Sequence, residues 1–170
     1  LGDKEPPTVT SFFAMLRGQM KAGSVLSHPV AYPLTTVEPG IAHGRLLGGN
    51  LAMIAATLGT PYEIDVEGVI LLIEDINEPL YRIDRLLTQM RLAGKLAKLR
   101  GVLVGDVAGV DVAALNRLLK QTFEPLRIPV LSGWRSGHCD PNLTLPMGAL
   151  VRLDAGKQEL MLEQDVVTRR

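Results

Sequence analysis

Residues 67–94, EGVILLIEDINEPLYRIDRLLTQMRLAG, decide how the rest of the chain is read. Val69 to Ile73 form an unbroken apolar run closed by Glu74 and Asp75, the pattern of a buried strand. A short link leads to Pro79, which suits a first helical turn. Leu80, Ile83, Leu87 and Met90 then recur at three- and four-residue spacing, and Gly94 stands where a helix ends. A buried strand followed by an amphipathic helix is the unit from which α/β sheets are built.

The same alternation continues on both sides. GVLVGDV (101–107) reads as a second buried strand, VAALNRLLKQTF (112–123) as a helix, and IPVLSGW (128–134) as a strand entering the loop RSGHCDPNLTLP (135–146). GALVRLDAGKQELMLEQ (148–164) alternates across an Ala-Gly turn and predicts a hairpin. Upstream, GRLLGG (44–49) predicts a short strand running into a tight turn. Asn50 caps a helix over LAMIAATL, which Gly59 and Pro61 terminate. SVLSHPVAYPLTTVEPG (24–40) carries three prolines among β-branched residues, so it predicts short edge strands and turns. PPTVTSFFAMLRGQMKAG (6–23) predicts a helix capped by Thr8 or Thr10, with Phe12, Phe13, Leu16 and Met20 near one face and Gly23 at its end. The order of strands and helices is mixed. It places the chain in the α/β (mixed α+β) class, with a small, partly closed sheet flanked by helices.

Bulk properties narrow the function. The 170 residues suffice for one domain with a real core, 46% are hydrophobic and 21% charged, and the mean hydropathy is +0.18. Lysine plus arginine equals aspartate plus glutamate, 18 each, so no general field draws the chain to nucleic acid or to an anionic membrane. The terminal Arg169-Arg170 pair is too short for a basic tail. No apolar run approaches the roughly 20 residues of a membrane helix. The first residues lack the layout of a signal peptide, and the start at Leu1 suggests a fragment or a processed product. A single cysteine, Cys139, forbids an intrachain disulfide and fits a reducing, cytoplasmic setting.

Few residues are candidates for chemistry. Gly48-Gly49-Asn50 lacks the glycine spacing of a dinucleotide loop, and no Gly-Lys-Ser/Thr follows. The double glycine is better read as a place where two backbones approach closely. Glu74 and Asp75 end the buried strand, where carboxylates serve as plain strand-terminal solvation. In open α/β sheets the same position carries functional groups, and a carboxylate there can orient a histidine. His138 lies among the turn-formers of SGHCDPN, on a loop of the kind that holds functional side chains against a scaffold. His28 and His43 read as solvated, and the scattered histidines make a zinc site improbable. Cys139 adjoins His138, but neighbouring loop side chains diverge, so a Cys–His pair is only a minority reading.

PGIAHGRLLGGNLAMIAATLGTPYEID, GVILLIEDINEPLYRIDRLLTQMRLAGKL, LRGVLVGDV and IPVLSGWRSGHCDPNLTLPMGALVRLD together resemble the C-terminal part of the LD-carboxypeptidase family, over roughly residues 39–154. TVTSFFAMLRG is similar to a helix that precedes that part. The microcin-immunity peptidases are relatives. The resemblance implies a swivelling β/β/α-type domain at 39–170, with residues 1–38 forming an N-terminal helix and an extended linker segment. It implies a serine peptidase that removes the terminal D-alanine of muropeptide tetrapeptides in cytoplasmic peptidoglycan recycling. A Ser–Glu–His triad would serve it, with no cofactor. Carried over by position, the Glu is Glu74 and the His is His138.

The nucleophile departs from the pattern. The family's serine lies in a Gly-x-Ser-Asp turn of an N-terminal domain. No such motif occurs here, and Ser11, Ser24, Ser27, Ser132 and Ser136 do not fit it. His43 also stands where many relatives are expected to carry an acidic residue. The expected partners are therefore the muropeptide and the missing N-terminal domain, with a homodimer left open. The rival reading is a non-catalytic module, on the same scaffold, that binds peptidoglycan fragments or dimerises.

Overall fold

The computed structural model describes residues 4–167. The terminal arginines and Leu1 lie outside them. Among the described residues, helix α1 (Pro6–Leu16) precedes strands β1 (Thr35–Glu38) and β2 (Ile41–Asn50), helix α2 (Leu51–Ala56) and strand β3 (Val69–Ile76). Helix α3 (Leu80–Leu92), strand β4 (Gly101–Ala108), helix α4 (Val112–Phe123) and strand β5 (Val130–Ser132) follow. The hairpin β6 (Leu150–Asp154) and β7 (Glu159–Leu162) ends the fold. The strands form one sheet in the order β1-β5-β4-β3-β2-β6-β7, curled into a half-barrel. Its centre, β2 to β5, is parallel, and the three remaining strands run antiparallel at the two edges. The expected α/β class and partly closed sheet are what is found.

The unbroken apolar run of β3 is explained by burial on both faces, with the period of two of a strand. Val69, Leu71 and Ile73 join one core with Ile83, Leu87 and Met90 of α3 and Leu115, Leu119 and Phe123 of α4. Ile70 and Leu72 point the other way, into a second core with Leu46, Leu103, Trp134, Leu143 and the hairpin's Val151 and Leu160. Helix α3 ends as expected, with Gly94 at φ +73° just past it.

Two local expectations fail. GRLLGG is not a short strand with a turn: β2 runs ten residues, through both glycines and directly into α2. Gly48 has φ +135°, and a Cβ there would overlap the Leu72 carbonyl oxygen of the paired strand. The close approach of two backbones is thus real, but it occurs within the sheet. Asn50 does cap α2, its side chain accepting from Met53 N–H at 3.0 Å. Helix α1 is capped by neither threonine and stops at Leu16, well before Gly23. Only Thr8 and Met15 of it are buried, while Phe13 and Leu16 face solvent. Pro6 and Pro7 occupy its first turn, so the entry needs fewer backbone donors satisfied.

Candidate active site

The alternation of β3 assigns different work to its two terminal carboxylates. Asp75 continues on the helix side, where Oδ1 accepts from the Asn50 side-chain amide at 2.9 Å and Oδ2 from Ala52 N–H at 2.9 Å. It is spent on holding the start of α2. Glu74 continues on the Trp134 side, buried, and its Oε2 lies 2.7 Å from His138 Nδ1. The choice between the two carboxylates, which residue type left open and the resemblance gave to Glu74, follows from the pleat.

When the carboxylate is ionised it can only accept, which puts the proton of this contact on Nδ1, and a neutral imidazole held that way carries its lone pair on Nε2. The Glu74 side chain is 8% exposed and that of His138 48%. A carboxylate so far out of water is costly unless it is paired, whereas the imidazole can still meet another molecule. The pair bridges 64 positions of sequence.

The loop reaches Glu74 because two glycines make room. At Gly137, φ is +115° and a Cβ would lie 2.5 Å from Glu74 Oε2. At Gly105 of β4 a Cβ would overlap the Ser136 carbonyl oxygen and crowd Glu74 Cβ. Arg135 then ties the loop to the sheet. Its Nη1 donates to Asp106 Oδ1 at 3.2 Å and its Nη2 to the Asp140 carbonyl at 2.9 Å, while Asp106 N–H donates to the Ser136 carbonyl at 2.9 Å. Sequence reading missed Gly105, Asp106 and Arg135. Their only signal was a glycine inside an otherwise apolar strand, which marks a close backbone approach.

His28 is not solvated as expected. It is half-buried 4.9 Å from the Trp134 ring, and its Nε2 accepts from Arg135 N–H at 3.1 Å. Burial, and then the Arg135 charge, push its pKa down and keep it neutral. His43 is exposed near the start of β2 and pairs with Glu163 at 2.7 Å. Neither joins the Glu74–His138 pair. Among the described residues no serine hydroxyl bonds to His138, and no cluster of three or more His, Cys, Asp or Glu could hold a metal ion. No helix among them is long and apolar enough to cross a membrane.

Cys139 Sγ donates to the Pro141 carbonyl at 3.2 Å. Burial pushes the thiol pKa up from 9.0 to about 11. A thiol nucleophile needs the opposite shift. Iodoacetamide labelling of the folded chain at pH 8 should therefore be roughly two powers of ten slower than that of an unperturbed thiol, since the thiolate fraction falls in proportion. Intact-mass labelling kinetics check this, and fast labelling would reopen the thiol mechanism.

A family model described as the LD-carboxypeptidase C-terminal domain matches residues 43–153. The probable murein peptide carboxypeptidase of Bacillus subtilis (strain 168) is 39% identical over 140 residues, 79% of this chain and 44% of that protein. The microcin C7 self-immunity protein of Escherichia coli is 28% identical over 134 residues, 76% of this chain and 39% of that protein. The crystal structure of muramoyltetrapeptide carboxypeptidase from Oxalobacter formigenes superposes with a TM-score of 0.76 at 28% identity, covering 95% of this chain and 56% of that one. The chain thus spans less than half the length of these curated relatives. With its sheet, its helices and its matched residues 43–153 in agreement, this chain belongs to the LD-carboxypeptidase family and carries that family's C-terminal domain.

Proposed function

We propose that the chain supplies the histidine base and the orienting glutamate of a serine LD-carboxypeptidase that releases the terminal D-alanine of muropeptide tetrapeptides. The observation that carries this reading is the 2.7 Å contact between buried Glu74 and half-exposed His138 at the C-terminal ends of the parallel strands. A hydroxyl supplied from a further domain attacks the carbonyl of the penultimate residue as His138 Nε2 takes its proton. The same nitrogen returns the proton to the departing D-alanine amine, and water then hydrolyses the acyl-enzyme by the reverse sequence. Glu74 keeps Nδ1 protonated and stabilises the imidazolium. No cofactor is required by this chemistry. A cytoplasmic place in peptidoglycan recycling fits the free cysteine and the substrate class.

Exposed Met53, Ile76 and Tyr81 support docking of a further domain on this rim. They stand at the start of α2, the end of β3 and the start of α3, all at the carboxyl edge of the sheet.

The test is D-alanine release from a muropeptide tetrapeptide, measured for this chain alone and with the N-terminal portion of the Bacillus subtilis relative added. The expected result is none from the chain alone and turnover from the mixture or a fusion. Tight tetrapeptide binding without turnover in the fusion would favour a binding module instead.

A further inference from the structure

The ring of His138 is half-exposed, so packing alone does not hold it. Its direction depends on the backbone of loop 135–144, which carries no regular hydrogen-bond ladder. Much of that backbone is held by side chains instead. Asn142 N–H donates to Thr8 Oγ at 2.8 Å, and Thr144 N–H donates to Ser11 Oγ at 3.1 Å. Thr8 Oγ in turn donates to Asp140 Oδ1 at 3.1 Å, and Glu5 N–H reaches the same oxygen at 3.3 Å. Gly137 N–H closes the ring on Asn142 Oδ1 at 3.3 Å.

All but the last cross more than 130 residues of sequence, and their outer groups lie on α1 or, for Glu5, at its N-cap. They matter because α1 is poorly held by apolar packing. Met15 is its one buried apolar side chain, and a half-open cleft of about 490 Å³ lies between the helix and Leu26, Trp134 and Leu143. Thr8 is itself buried, and its hydroxyl donates one hydrogen bond and accepts another. A hydroxyl in that setting is directional, and its loss leaves a loop N–H and a carboxylate oxygen short of partners.

Resting on the reading of His138 as the base, we propose that Thr8, assisted by Ser11, is a positioning residue: α1 clamps the histidine loop through these two hydroxyls and thereby sets the imidazole against Glu74. The second anchor, from Arg135 to Asp106, fixes the loop's entry to β4, while the α1 clamp fixes the part that follows His138. Helix α1 therefore controls the base without touching it.

The test reads the tautomer of His138 in the 15N-labelled 170-residue chain, from its imidazole nitrogen shifts at a pH where the ring is neutral. The native chain and Thr8→Ser should hold the Nδ1–H form. In Thr8→Val the ratio of Nδ1–H to Nε2–H should fall by about ten-fold, the effect of losing one well-made hydrogen bond. An unchanged ratio in Thr8→Val overturns the proposal, as does an equal fall in Thr8→Ser. A lowered melting temperature with the ratio intact also overturns it, because the role is then structural only. Should Thr8→Val fail to fold, Ser11→Ala carries the test with a smaller shift in the same direction, and no shift there is equally fatal. The tautomer belongs to this chain alone, with no nucleophile needed. The clamp and the base role, which D-alanine release by His138→Ala tests, can therefore fail independently.

Discussion

On the proposed mechanism, replacing His138 with alanine in a fusion of this chain to the N-terminal portion of the Bacillus subtilis relative is expected to lower kcat for D-alanine release by at least about 10⁴-fold, with a much smaller change in KM. The serine loses both the acceptor of its proton and the donor to the leaving amine, two roles played by one nitrogen. Glu74→Gln should cost about 10³–10⁴-fold for a different reason. Its amide can donate as well as accept, so the imidazole is free to adopt the tautomer with the proton on Nε2, where the lone pair is needed. The imidazolium also loses its neighbouring charge. Because the two groups act as one unit, the double variant should be little worse than His138→Ala alone. Stopped assays of released D-alanine, with each variant's fold verified by circular dichroism, check the series. Retention of most activity by His138→Ala would remove the triad assignment altogether.

Gly48→Val is the substitution expected to damage the fold most. Gly48 lies in β2 at φ +135°, paired with Leu72 of β3, whose carbonyl oxygen occupies the space of a Cβ. Backbone strain at such a φ costs about 1–3 kcal/mol. Relieving the overlap must also separate two central parallel strands, so the sum should exceed about 4 kcal/mol. Against a total stability of about 5–15 kcal/mol, that is a fall in melting temperature of roughly 8–16 °C, or no folded product. Gly49 offers the control. Its φ is +143°, but a Cβ there meets nothing within 4 Å, so Gly49→Ala pays the backbone strain alone. Thermal melts should rank native above Gly49→Ala above Gly48→Val. Equal losses at the two positions would mean that the contact with Leu72 carries no weight.

Both predictions join groups distant in the chain, and they mark how far sequence reading reaches. The strand of residues 69–76 and the helix of 80–92 were legible because apolar periodicity is a local property with a known period. The C-terminal hairpin and the Asn50 cap were legible for the same reason, since each is settled within a few neighbouring residues. Helix α1 was foreseen, but its cap and its end were misjudged, because Thr8 lies inside the helix and is buried against a loop more than 130 residues away instead of capping it. His28 was misjudged likewise, since Trp134 and Arg135 enclose it only after folding.

The candidate site divides in the same way. The sequence by itself determined that a carboxylate would end a buried strand and that a histidine would stand in a turn-rich loop, because burial and turn formation follow from residue type. Residue type alone left Glu74 and Asp75 both open and only the family resemblance chose Glu74; the physical reason that Glu74 meets His138 lies in the tertiary structure. The pleat of β3 sends the two carboxylates to opposite faces, where α2 engages Asp75 and the histidine loop engages Glu74. Tertiary structure also gave Gly105 and Gly137 their meaning, for the missing Cβ matters only once the carboxylate and the loop backbone are packed against them.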